Sequence, residues 1–316
     1  MEDRFQILAL DGGGIKGLFS AAILSFLEDD LNIKIVDHFD LIVGTSTGGL
    51  IALGLGVGLS PADLVDFYVE HGPAIFPGKF GLGLKQYIRR KYDPYPLEKA
   101  LRSCFQEKRL ADCTKRLVIP AYNIGEDDVY LFKTPHHERL KRDWKVPLWK
   151  VGMATSAAPT YFPAFTKVDH VRLVDGGVWA NNPTMVGITE AVSLLGQPLD
   201  SIRIFSLGTT DVCKGRSGKL DTGGFLQWRK DGLEVVMRGQ SVGTHTQAMH
   251  LVGPENVHRL DPRVPDGLFA LDKLSKEGLI SKAAHESRHF APKFTEVFAD
   301  HRAPEFNPIH GQGVQT

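Results

Sequence analysis

Seven short apolar runs, at 5–10, 39–46, 116–124, 129–134, 171–177, 201–209 and 256–262, are spaced along a chain of 316 residues. Between them lie stretches of helical periodicity such as GLFSAAILSFLEDDL, SPADLVDFYVEHG, PLEKALRSCFQE and PTMVGITEAVSLLG, and a long polar-faced pattern from Phe225 to about His250. Apolar runs that alternate with helices fold as βα units, whose helices cover a largely parallel sheet. Ser60 before Pro61 and Asn182 before Pro183 are N-cap and N1 pairs that start two of those helices. No linker, repeat or low-complexity tract interrupts the rhythm, so one domain over 1–303 is expected, with 304–316, which loses periodicity, as a loose tail.

In such a sheet, functional groups gather beyond the carboxyl ends of the strands. Three glycine turns follow apolar runs here, in LALDGGGIKGLF (8–19), DLIVGTSTGGLIAL (40–53) and VRLVDGGVWANNP (171–183). In the first, Gly12, Gly14 and Gly17 satisfy GxGxxG, with Asp37 near the distance of a ribose-binding acid. The same loop also suits an oxyanion pocket, because backbone amides at a helix N-terminus receive negative charge without side-chain obstruction. Asp11 beside the first glycine would repel a pyrophosphate, with Lys16 offsetting part of that. Only HFDLIV separates Asp37 from Gly44, too little for the further helix of a dinucleotide-binding half. Both features favour the oxyanion pocket over the dinucleotide site.

In the second turn Gly44, Ser46 and Gly48 form GxSxG between an apolar strand and a helix. A sharp strand-to-helix turn lifts the serine oxygen above the sheet, although a serine there can also simply cap the helix. A serine nucleophile needs a base and an oxyanion pocket. Asp175, which ends a strand and enters Gly176–Gly177, is one candidate base, and as a bare sequence it is also an ordinary turn. His245, His250 and His258 follow Asp175 in the order of an α/β-hydrolase triad, but the first two fall in the long helical pattern. TPHHE at 134–138 offers adjacent histidines that either ligate a metal or stay solvated.

The charges balance, 37 basic against 37 acidic, so no global field draws the chain to nucleic acid or anionic lipid. GGLIALGLGVGL is too short and glycine-rich to span a bilayer, and MEDRFQILAL lacks the regions of a signal peptide. Cys104, Cys113 and Cys213 lack metal-type spacing and read as reduced packing residues of a cytoplasmic protein. The strip 76–95 mixes aromatics with Lys79, Lys85, Arg89, Arg90 and Lys91, which suits either a phospholipid surface or a solvated face.

DGGGIKG, GTSTGG, ATSAAPTYFP and DGGVWANNP, in this order, resemble the patatin-like phospholipases from about Phe5 to beyond Gly208, and KYDPYPLEKAL and LVIPAYNI resemble intervening segments of that family. The resemblance implies a three-layer α/β/α fold with a mostly parallel sheet and a serine lipid acyl hydrolase of phospholipase A type, without cofactor or metal. It also implies a Ser–Asp dyad of Ser46 and Asp175, with the amides of Gly12, Gly13 and Gly14 as oxyanion hole and Lys16, Gly17, Gly44, Gly48, Gly176 and Gly177 as supporting motif. The family's glycine loop usually carries arginine where Lys16 stands, which keeps the charge and loses the planar fork. ILALDGGGIKGLFSAAIL is further similar to the start of bacterial phospholipases that cyclic nucleotides switch on in anti-phage defence. That likeness implies a cyclic nucleotide activator, a phospholipid or other acyl-ester substrate, and transient contact with the inner membrane face; a homo-oligomer is compatible with it. Two other readings stand beside it: a general carboxylesterase with a Ser–His–Asp triad, and an inactive storage or binding protein.

Overall fold

The structure, a computed structural model, describes residues 4–77, 92–213, 217–224, 228, 232–265 and 276–311. β1 (Phe5–Leu10) leads through a 3₁₀ turn (Gly14–Lys16) into α1 (Gly17–Leu31), and β2 (Leu41–Gly44) leads into α2 (Thr47–Gly56) and α3 (Pro61–Ile75). After α4 (Tyr95–Phe105) come β3 (Arg116–Asn123), β4 (Asp128–Lys133), α5 (Leu148–Thr155), β5 (Leu173–Asp175), α6 (Gly177–Ala180) and α7 (Thr184–Ser193). The last third holds β6 (Ile202–Leu207), β7 (Asp211–Cys213), α8 (Lys219–Thr222), α9 (Gly232–Val252), β8 (Val257–Leu260), β9 (Arg263–Pro265) and α10 (Lys276–Val297).

All seven apolar runs become strands of one sheet, in the order β4-β3-β2-β1-β6-β8, with β5 also on β3. β3, β2, β1, β6 and β8 are parallel, whereas β4 and β5 run antiparallel to β3. β4 lies along one side of β3. On the other side β2 pairs with Arg116–Val118 and β5 with Ala121–Asn123, so β2 and β5 run toward each other end to end. Asp175 does end a strand at the carboxyl edge of the sheet, but it arrives there from the direction opposite to Ser46.

Side chains alternate across a strand, so each strand feeds two cores. Leu8, Leu10, Ile42, Phe205 and Leu207 pack with α1, α2, α3, α4, α5 and α10 on one face. Ile7, Ala9, Leu41, Val43 and Ile204 pack with α6, α7 and α9 on the other, which makes three layers. α10 covers Phe205 with stacked aromatics: Phe290 lies 4.8 Å from it, ring to ring, and Phe294 and Phe298 join the cluster. The small sheet of β7 and β9 and the helix α10 have no counterpart among the elements anticipated above.

Residues 304–311 form no helix or strand, yet they are held: Phe306 is buried under the Arg116 guanidinium, and the Ile309 amide donates to Pro135 O at 2.8 Å. Lys79, Lys85, Arg89, Arg90 and Lys91 of the basic strip lie outside the described residues. Among the described residues no helix is long and apolar enough to cross a membrane.

Candidate active site

The registers Leu10↔Gly44 and Leu10↔Leu207 bring the ends of β2, β1 and β6 level, so the loops that follow them emerge side by side. Ser46 caps α2 with φ 54 and ψ −121, a left-handed conformation that costs a non-glycine residue about 1–3 kcal/mol. Its surroundings fix that geometry. The Ser46 amide donates to Thr155 Oγ1 at 2.9 Å, and Thr155 Oγ1 donates to Pro120 O at 2.6 Å, tying the turn to α5 and β3. Thr45 Oγ1 donates to Ala180 O at 2.6 Å, and the Thr47 and Tyr68 hydroxyls bond to each other. Gly44 and Gly48 are dictated by contact: a Cβ on Gly44 would collide with the Gly48 carbonyl, and one on Gly48 with the Leu10 carbonyl.

Asp175 is buried at the end of β5, 5% exposed. Its Oδ2 accepts from Ser46 Oγ at 2.6 Å and its Oδ1 accepts from the Gly177 amide at 2.7 Å. Burial pushes the carboxyl up to about 6, with the two hydrogen bonds pulling the other way. A carboxyl raised in this way is a stronger base than an exposed one and stays largely ionised at neutral pH. Gly176 presses against the Pro120 carbonyl, where no side chain would fit.

The amides of Gly13 and Gly14 open the helical segment that continues into α1, the place where backbone N–H groups lack intrahelical acceptors. Among the described residues neither has a backbone acceptor, and Gly14 has φ 60. The Gly12 amide differs from the expectation, because it donates to Asn181 O at 3.0 Å and is thereby engaged. The free pair is Gly13 and Gly14. Lys16 Nζ donates to Thr210 O at 2.9 Å, and Gly17 gives room to the Thr47 hydroxyl, so both positions dock the loop.

The model for the family described as "Patatin-like phospholipase" matches residues 8–188, more than half of the chain. The chain belongs to the patatin-like phospholipase family. A cGAMP-activated phospholipase of Pseudomonas aeruginosa is 33% identical over 281 residues, covering 86% of this chain and 83% of that protein. A cGAMP-activated phospholipase of Vibrio cholerae is 30% identical over 337 residues, covering 96% of this chain and 94% of that protein. As a patatin-like phospholipase the chain is a lipid-hydrolysing esterase.

The patatin-like site also resolves the competing sequence readings. Asp37 sits in the turn before β2, at the amino edge of the sheet, paired with Arg302 at 3.1 Å and far in topology from the glycine loop. That placement removes the dinucleotide reading. Asp11, buried behind the loop, meets Arg259 at 2.7 Å rather than Lys16, and Arg259 also holds Asp261 at 2.7 Å and Ser206 Oγ at 2.8 Å. Burial still pushes the Asp11 carboxyl up to about 6. Sequence reasoning missed Arg259, which lies 248 positions away, and gave Thr155 no role although ATSAAPTYFP contains it.

No described histidine bonds to Ser46 or Asp175. His245 is half-buried on α9, His250 is exposed near its end, and His258 packs edge-on against Phe298 in β8. Burial lowers the pKa of His245 and of His258. His136 of TPHHE is buried rather than solvated, its Nε2 2.9 Å from Glu190 Oε1 and its Nδ1 2.9 Å from Thr134 Oγ1, and Glu190 of α7 also pairs with Lys133 at the end of β4. Cys104 and Cys113 are free thiols whose burial pushes their pKa up.

Proposed function

We propose that this patatin-like phospholipase cleaves carboxylic esters of membrane phospholipids with Ser46 as nucleophile and Asp175 as its only side-chain base, and that a cyclic nucleotide switches it on. The observation that carries the reading is the 2.6 Å hydrogen bond from Ser46 Oγ to a buried carboxylate that no histidine among the described residues reaches. Asp175 takes the serine proton as Ser46 Oγ attacks the ester carbonyl, and the amides of Gly13 and Gly14 receive the oxyanion of the tetrahedral intermediate. Collapse expels the lysolipid alkoxide, which takes the proton back from Asp175. Water then attacks the acyl-enzyme by the same route, giving the fatty acid and free Ser46.

A catalytically silent scaffold would have no use for the two costs described at this site, a serine with positive φ and a buried ionisable carboxyl. The activator part of the reading draws on the relatives, which are named for activation by cGAMP. It also has a physical motive, since an ungated phospholipase in the cytoplasm would attack the membrane of its own cell. Contact with the inner membrane face through the strip 76–95 belongs to the same proposal.

Intact-mass measurement after fluorophosphonate treatment tests it, on wild type and Ser46→Ala, with and without cGAMP. One adduct on wild type alone, faster with cGAMP, is expected. An adduct of equal extent on Ser46→Ala, or none on wild type in any condition, removes the nucleophile assignment; labelling indifferent to cGAMP removes the switch.

A further inference from the structure

Asn181 follows α6, and the mechanism above gives its side chain no part. Its backbone carbonyl holds the Gly12 amide, but its side-chain Oδ1 is buried and receives no hydrogen bond from the described residues. A buried acceptor without a donor is destabilising, and such atoms call for an explanation. The position of this one is informative. A methyl group on Gly12 would lie 2.7 Å from Asn181 Oδ1 and 3.3 Å from Ser46 Cβ. A methyl group on Gly177 would lie 3.4 Å from Asn181 Oδ1 and 3.0 Å from Asp175 Oδ1. The carboxamide oxygen therefore borders the same space beside Gly12 as Ser46 Cβ and the same space beside Gly177 as Asp175 Oδ1.

In the second half of the reaction the acyl carbonyl faces the Gly13 and Gly14 amides, which are donors only, and Ser46 Oγ is esterified. The attacking water has two O–H bonds to place. Asp175 accepts one, and a neutral acceptor close to both Asp175 and Ser46 suits the other. The geometry points to Asn181 as the residue that orients the hydrolytic water, which donates one O–H to Asp175 and the other to Asn181 Oδ1. The water oxygen bonds to the acyl carbon as one proton passes to Asp175. Collapse breaks the bond between that carbon and Ser46 Oγ, the proton on Asp175 moves to Ser46, and the carboxylic acid leaves. This inference rests on the Ser46–Asp175 reading.

The test is turnover of a p-nitrophenyl acyl ester by the full chain with cGAMP, followed by stopped flow and, after acid quench, by intact mass. Asn181→Ala is expected to keep the acylation burst within about threefold of wild type while steady-state turnover falls about 100-fold, so that acyl-Ser46 accumulates. Asn181→Ser, which retains an oxygen acceptor and guards against a folding defect in the alanine variant, is expected to recover part of that loss. Burst and steady state falling together in both variants would overturn the water-orienting role in favour of one at the oxyanion or the loop, and turnover unchanged in both would remove any role. A wild type that never forms acyl-Ser46 would instead defeat the underlying Ser46–Asp175 reading.

Discussion

Replacing Asp175 by Asn should abolish turnover and at the same time stabilise the protein at neutral pH. Burial raises this carboxyl from 3.8 to about 6, and each tenfold change in proton affinity corresponds to about 1.4 kcal/mol. Below pH 3.8 both folded and unfolded chains are protonated and the group costs nothing. As pH rises toward about 6 the unfolded chain releases its proton first, so stability falls, and above that the full penalty of about 3 kcal/mol persists. Asparagine mimics the protonated carboxyl: its Oδ1 accepts from the Gly177 amide and its Nδ2 donates to Ser46 Oγ, the two contacts present in the native site. Urea denaturation at pH 7.5 should therefore show Asp175→Asn more stable than wild type by about 3 kcal/mol, with the difference vanishing near pH 4. A variant no more stable than wild type at pH 7.5, or one whose gain is the same at both pH values, would refute the claim that burial of the base is what stores this energy. Retained hydrolysis would refute its role as base.

On the proposed mechanism the same carboxyl sets the pH dependence of catalysis: log kcat/KM for a soluble ester should fall with unit slope below about pH 6, and a profile flat to pH 5 would exclude Asp175 as the titrating base. Ser46→Gly should remove activity yet stabilise the fold by about 1 kcal/mol, seen in thermal denaturation, because glycine adopts the φ of 54 without strain. Gly48→Ala drives a methyl into the Leu10 carbonyl and should cost at least about 2 kcal/mol in the same assay, with activity lost as the turn shifts. Arg259→Met strands Asp11 as a buried unpaired charge, and should destabilise by about 3–5 kcal/mol at pH 7.5 and less at pH 5, where Asp11 takes up a proton.

The strands were legible because each apolar run is bounded by a turn and feeds two cores, as FQILAL does through Leu8 and Leu10 on one face and Ile7 and Ala9 on the other. Strand direction was not, since VRLVD has the same composition whichever way it pairs, and only the partner β3 makes it antiparallel. α10 escaped because its buried stripe, Leu279, Ala283, Ser287, Ala291 and Phe294, consists mostly of small residues in a charged surround. At the site, GxSxG marked Ser46 by a local cause, the crowding that requires Gly44 and Gly48. Asp175 needed the family resemblance, because DGG is an ordinary turn until β5 is placed against the end of β2. The engagement of Gly12 by Asn181, and of Asp11 by Arg259, joins distant segments, and nothing local announces either contact.

The end-to-end meeting of β2 and β5 also sets a timetable during synthesis. Ser46 leaves the ribosome with its turn already encoded, but Asp175 follows 129 positions later. At about 5–20 residues per second that interval is on the order of 10 s, during which the proposed nucleophile lacks its proposed base. The Ser46–Asp175 hydrogen bond forms only when a short antiparallel strand closes onto β3, after the parallel neighbours β1, β2 and β3 have all been made. On the proposed Ser46–Asp175 mechanism, a nascent or truncated chain that stops short of β5 is harmless to lipid, and hydrolytic competence reports that the middle of the sheet has been completed.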